Sequence, residues 1–139
     1  MGTRSLTFIR EKQDKQNSIN IYKQYDGYPD GWGLELAEFL NRYTIVNGYS
    51  SNDERVIANG VACLIAQFIA EFKKEVGGLY VYPIKDRDCG QEYEYHISVD
   101  DENNNVEIKV IKSGWQTKDK TIFKGSPIEF IKTYKVDSN

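Results

Sequence analysis

The stretch "DERVIANGVACLIAQFIAEFKKEVGG", residues 53–78, decides how this chain is to be folded. Ile57, Val61, Leu64, Ile65, Phe68 and Phe72 recur at the three- and four-residue spacing of one helix face, and Val56, Ala62, Cys63 and Ile69 widen that stripe. The spacing predicts one long central helix over 53–76, apolar round enough of its circumference to be covered on more than one side. Ser51 and Glu54 stand at capping-box spacing before it. Lys73 and Lys74 suit the negative end of its dipole, and Gly77-Gly78 stops it. The apolar run 56–70 is too short to span a bilayer and contains Asn59, Gly60 and Gln67, so it reads as core and no membrane is expected.

Outward from this helix the period changes from helical to alternating. On the N-terminal side, "TRSLTFIR" puts Leu6 and Phe8 on one face and Thr7 and Ile9 on the other. After the polar turn "EKQDKQN", "SINIYKQY" returns with Ile19, Ile21 and Tyr25 on one side, which predicts a hairpin. A shorter helix follows the "YDGYP" loop, carried by Leu36, Phe39, Leu40 and Tyr43 and ending near Asn47-Gly48. On the C-terminal side, "LYVYP" is a short strand. "EYEYHISV" alternates Tyr93, Tyr95, Ile97 and Val99 against Glu94, His96 and Ser98. "DDENNN" turns the chain, "VEIKVI" returns with Val106, Ile108 and Val110 inward, and a weaker strand covers 121–124. "GSPIEF" sets Ser126 as a cap, Pro127 at the first helical position and Glu129 at capping-box distance, for a C-terminal helix over 127–134. With no internal repeat or linker, the 139 residues read as one α+β domain. Its expected core is a mostly antiparallel sheet of about five to six strands against the long helix.

Composition excludes several functions. A content of 40% hydrophobic and 28% charged residues is that of a globular chain, which excludes disorder. A formal charge of −3 without a basic stripe argues against a duplex nucleic-acid partner. The two cysteines, Cys63 and Cys89, follow no metal or disulfide spacing, and with no signal peptide they point to a reducing, cytoplasmic setting. Gly2 is followed by Leu6 where myristoylation asks for Ser or Thr. One histidine and scattered cysteines build no zinc site, and the carboxylates of "DRD" and "VDDEN" miss the calcium-loop spacing. No metal, cofactor or catalytic triad is expected; a hydrolytic site on Asp26 and Asp30 has nothing to promote it.

The candidate site is the loop in "IYKQYDGYPDGWGLELAEFL", residues 21–40. "DGYPDG" is rich in turn formers, and Tyr28 and Trp32 can serve simply as cover for the core. In the functional reading Tyr25, Tyr28 and Trp32 form a stacking platform, and the helix start at Gly33 offers backbone N–H groups to a phosphate. Asp26 would then orient the polar part of a nucleotide-like ligand. Arg4 either pairs with Asp26 across the hairpin end or holds phosphate. Arg87 is a further phosphate contact, with solvation as its default, and His96 reads as a half-exposed residue of a polar strand face. Tyr80, Tyr82, Tyr93 and Tyr95 lie in two strand segments able to pair, as sheet cover or as an aromatic groove for a ligand or partner chain.

The opening "MGTRS" (1–5), "YDGYP" (25–29) and the helix pattern of Gly33, Leu36, Phe39 and Leu40 together resemble a family of small proteins of phages, large DNA viruses and some bacteria. The resemblance covers about the first 40 residues, with weaker likeness at "GGLYVYP" and "YEYHI". It implies that Arg4 and the loop from Asp26 to Pro29 belong to one feature, and it places the chain in the contest between phage and host. The expected function is non-enzymatic capture of a small, nucleotide-derived ligand, in its sharpest form a host defence signal. The alternatives are a protein-interaction module that inhibits a host protein through exposed aromatics and, third, a nucleotide hydrolase. A homo-oligomer with the loop at its interface would suit either of the first two.

Overall fold

The computed structural model describes residues 2–100, 102–114 and 117–135. Met1 of the opening motif and Asp101 of the expected "DDENNN" turn lie outside them. The chain runs β1 (Ser5–Glu11), β2 (Ile19–Lys23), a wide helical turn (Pro29–Gly33) leading into α1 (Leu34–Arg42), β3 (Thr44–Val46), β4 (Ile57–Asn59), α2 (Gly60–Phe72), β5 (Leu79–Tyr82), β6 (Tyr93–Asp100), β7 (Asn105–Lys112), β8 (Lys120–Gly125) and α3 (Pro127–Tyr134).

Six strands form one sheet in the order β5-β2-β1-β6-β7-β8. Every neighbouring pair is antiparallel except β1 with β6. The helices carry the chain from β2 to its antiparallel neighbour β5, and the β5–β6 connection then crosses the other face of the sheet, so that β6 enters in the same direction as β1. β3 and β4 form a separate parallel pair. The expected α+β class, the N-terminal hairpin and the C-terminal capping box are all present: Ser126 Oγ accepts from the Glu129 amide, and the Ser126 amide donates to Glu129 Oε1. The two tyrosine-bearing strands do not pair: β5 adjoins β2 at the sheet edge, and β6 lies between β1 and β7.

The central helix is shorter than its sequence pattern. It has 13 residues, and Ile57–Asn59 form β4 instead of its first turn. Gly60 adopts φ +80°, a left-handed conformation in which a glycine carries no steric cost and through which a helix does not run. Asn59 Oδ1 is turned back to accept the Gly48 amide. The Ser51–Glu54 box does not form, because the Asp53 amide donates to Ser50 O and Asp53 pairs with Arg55. At the far end the helix stops at Phe72, short of the expected Val76, and Lys73 Nζ donates to the carbonyls of Gly77 and Leu79 beyond it.

All three helices pack on one face. Ile9, Ile21, Tyr95, Ile97, Val99, Ile108 and Val110 point from the strands into a core shared with Trp32, Leu36, Phe39, Leu64, Phe68 and Phe130. Rings meet there edge to face: Trp32 with Phe68 at 5.7 Å and 78°, Phe39 with Phe68 at 5.7 Å and 85°. Among the described residues the opposite face carries a smaller buried apolar cluster of Leu6, Phe8 and Tyr22, joined by Tyr82 and Cys89. Its cover is the β5–β6 connection, fastened where Asn20 Nδ2 donates to the carbonyls of Pro83 and Asp86. Cys63, on α2, and Cys89 thus belong to opposite faces, and both are free thiols.

Candidate functional site

The "YDGYP" loop is built into the N-terminus of the chain. The Gly27 amide donates to Thr3 O, Gly2 lies against Tyr25 and Gly27 against Ser5. The buried Tyr95 hydroxyl donates to Gly27 O at 2.6 Å, and burial pushes its pKa upward. Asp26 holds φ 59°, which turns its carbonyl toward the Trp32 amide. Tyr28 carbonyl accepts from the amides of Gly31 and Gly33, and the Leu34 amide donates to Gly31 O. The helix start is therefore spoken for by backbone acceptors.

Gly33 itself is buried, and a Cβ there would stand 2.7 Å from Phe130 Cζ. Its glycine serves close packing of α1 on α3, not approach to a phosphate. Trp32 is 1% exposed, its indole N–H donates to Thr7 Oγ1 at 3.0 Å, and Phe68 and Phe72 stand edge-on against it. Tyr25 and Tyr28 are exposed, but without Trp32 they make no stacking platform. The charge of Asp26, whose carboxylate the Tyr28 hydroxyl reaches at 3.4 Å, raises the Tyr28 pKa. A cleft of about 230 Å³ does open between Tyr25, Lys23 and the end of α2. It is a poor anion site: Lys73 is already used by carbonyls, Lys23 lies over the Tyr25 ring at 4.4 Å, and Glu35, Glu71 and Glu75 line the same space.

The second sheet face gathers different chemistry. Register places Leu6 beside Glu94 and Glu94 beside Ile111, then Phe8 beside His96 and His96 beside Lys109, then Arg10 beside Ser98 and Ser98 beside Glu107. Glu94 is 2% exposed and is the hub. Its Oε1 accepts from Arg87 Nη2 and faces His96 Nε2 at 2.9 Å; its Oε2 accepts from Gln91 Nε2 at 2.9 Å. Burial alone would raise its pKa. Hydrogen bonds from His96 and Gln91, with the charge and hydrogen bond of Arg87, outweigh burial and hold it at about 2. Because an ionised Glu94 can only accept, the His96 tautomer that satisfies this contact carries its proton on Nε2. The imidazole stacks on Phe8 at 4.9 Å, and the Arg87 guanidinium lies over the same ring at 5.2 Å. Burial raises the nearby Cys89 thiol pKa, the wrong direction for a nucleophile.

Two cavities meet at Arg87. One, of about 250 Å³, is lined by Arg10, Lys15, Arg87, His96 and Lys109, with Glu107 the single carboxylate. The other, of about 570 Å³, is lined by Arg87, Asp88, Gly90, Gln91, Glu92, Glu94, Ser113, Gly114 and Asp119. Arg4 belongs to this side: its guanidinium lies against Gly90, not against Asp26. Among the described residues no group of three or more His, Cys, Asp or Glu is placed to hold a metal ion, and no helix is long and apolar enough to cross a membrane. Arg10, Lys15, Glu94 and Lys109 escaped the sequence reading. The available signal was the shared face of Glu94, His96 and Ser98, which alternation had already defined. No family model, curated protein or solved structure matches the chain.

Proposed function

We propose that the protein is a non-enzymatic binding protein for a small, phosphate-bearing, nucleotide-derived ligand, seated on the sheet face opposite the helices. The observation that carries this reading is the fixing of Arg87 and His96 on one buried carboxylate, beside Arg10, Lys15 and Lys109. A cation held in place before the ligand arrives loses little freedom on binding, and an arginine fork matches a phosphate. Sequestration of a host signalling nucleotide is the biological form that fits the resemblance to phage proteins. The test is a thermal-shift screen of the purified chain against linear and cyclic nucleotides, with mass spectrometry of each incubation. Stabilisation with the ligand recovered intact supports capture, by linkage. An altered ligand makes the protein an enzyme, and no shift removes the reading.

A second reading rests on β5, which among the described residues adjoins only β2 and has no strand on its other edge, with Val81 65% and Tyr80 40% exposed. Such an edge suits a protein partner that adds a strand. A Val81→Lys variant that loses a host partner captured by the wild type would favour it.

A further inference from the structure

We infer that the edge of β5 pairs with β5 of a second copy of this chain, joining two sheets about a two-fold axis at Val81; this rests on the edge reading given above and names its partner. Hydrophobic exposure is concentrated here. Of the nine large hydrophobic side chains exposed among the described residues, Val76, Tyr80, Val81 and Ile84 fall within residues 76–84. The two edges of the sheet also differ in their protection. β8 carries exposed Lys120 and Lys124 and has an irregular register with β7, and lysines and bulges discourage edge pairing. β5 has no charged residue from Leu79 to Tyr82.

The backbone fixes the register. The Gln24 amide donates to Gly78 O, so by alternation Tyr80 and Tyr82 also turn their backbone groups to β2, while Leu79 and Val81 turn theirs outward. Leu79 is satisfied within the chain: its amide donates to Gly77 O and its carbonyl accepts from Lys73 Nζ. Pro83 has no amide to offer, and its carbonyl accepts from Asn20 Nδ2. That leaves the amide and carbonyl of Val81 for a partner strand. In a two-fold antiparallel pair they meet the same groups of the second copy, Val81 opposite Val81, and exchange both hydrogen bonds. Leu79 and Pro83 then stand opposite each other, and neither needs a bond.

The side chains of "LYVYP" are symmetric about the same point. The two-fold sets Tyr80 against Tyr82 on the face of Tyr22, whose ring already stacks on Tyr82 at 4.9 Å, and Val81 against Val81 on the helix face. Charge is complementary at the ends. The exposed Lys74 and Glu75 before the strand come to the side of the exposed Lys85 and Asp86 after it in the second copy, one cation and one anion on each. A four-residue strand with its flanks is a small interface beside the roughly 800 Å² per partner of a stable complex, so the dimer forms reversibly with concentration.

The experiment is sedimentation equilibrium of the full chain from about 5 to about 500 μM, the range in which so small an interface associates. The mean mass is expected to rise from 16.0 kDa toward twice that value. Val81→Lys, at a 65% exposed position that folding tolerates, sets like charges opposite each other and is expected to keep the chain monomeric throughout. Val81→Cys is expected to give a disulfide-linked dimer on mild oxidation, since hydrogen-bonded pairs stand about 5.5 Å apart at Cα. Val76→Cys, more exposed but off the axis, is expected to cross-link at least about tenfold more slowly. A chain that is monomeric at every concentration overturns self-pairing and leaves the edge to a partner of other sequence, which the capture experiment above tests separately. Association that survives Val81→Lys, or equal cross-linking of the two cysteine variants, overturns it by placing the contact elsewhere.

Discussion

The two faces of the six-stranded sheet are built from the same strands by alternation, yet they do different work. The helix-covered face is filled by Trp32, Phe39, Phe68, Tyr95 and Phe130, and the buried Trp32 indole donates there to Thr7. The loop-covered face has a small apolar patch, Leu6, Phe8 and Tyr22, bordered by an ionised Glu94 that holds Arg87 and His96. Burial of a large apolar side chain stabilises by about 1.5–3 kcal/mol, whereas a buried ion pair is roughly neutral against an apolar replacement. The difference teaches where stability is concentrated and where side chains are held in position at little net gain, which is the usual condition of a binding surface.

The largest effect that would break this comparison comes from the core. Trp32→Ala should destabilise by about 3–5 kcal/mol in urea denaturation, since it empties a site enclosed by Phe68 and Phe72 and leaves Thr7 without its donor. Phosphate affinity of the fraction that stays folded should not change. A Trp32→Ala protein of normal stability that failed to bind nucleotide would restore the loop as the site.

Next comes Gly33→Ala, where the new methyl meets Phe130 and Tyr95 at 2.7 and 3.1 Å. An overpacked contact of this kind costs about 1–3 kcal/mol, read as a lowered denaturation midpoint with unchanged slope. A neutral result would mean that α3 yields freely and that the glycine stands there for another reason.

Glu94 sharpens the other side. Its folded pKa of about 2 lies below its ordinary value of 4.5, so its ionised form stabilises the fold above the ordinary value. That contribution is lost as pH falls from about 4.5 through about 2, and its size should be on the order of 1–3 kcal/mol. Glu94→Gln should flatten this acid limb of the stability profile and weaken phosphate binding, because Arg87 and His96 lose the negative charge of their common acceptor. An unaltered acid limb would show that the three side chains are not coupled in solution.

The smallest effect on stability and the largest on binding are expected together at Lys109→Glu. A half-exposed surface change should stay within about 0.5 kcal/mol in thermal unfolding. Yet it reverses a charge in the basic half of the groove, so nucleotide-induced stabilisation should vanish.

Much of the architecture was legible in local pattern. Alternation in "EYEYHISV" sent Tyr95, Ile97 and Val99 inward, and Ser126, Pro127 and Glu129 marked the start of α3 to the residue. These features are short-range, because a strand's faces and a helix cap depend on neighbours within a few positions. The start of α2 was misread because Ile57 and Ala58 suit a helix stripe as well as they suit β4; the decision came from Gly60 and from pairing with β3, where Thr44, Ile45 and Val46 stand beside Ile57, Ala58 and Asn59.

The candidate site was the least legible part. In sequence, "YDGYPDGWG" looks like a ligand loop because glycines and aromatics serve both ligands and packing. Only the folded chain settles Trp32 and Gly33 into the core, by bringing Phe68, Phe72 and Phe130 against them. The sequence by itself determined the α+β class, the strand faces and the C-terminal cap, because these follow from periodicity and local hydrogen bonding. The tertiary structure alone decided which cations share an acceptor. Arg10, Arg87, His96 and Lys109 come from three strands and a loop, and no local rule records that parallel pairing of β1 with β6 sets them around one groove.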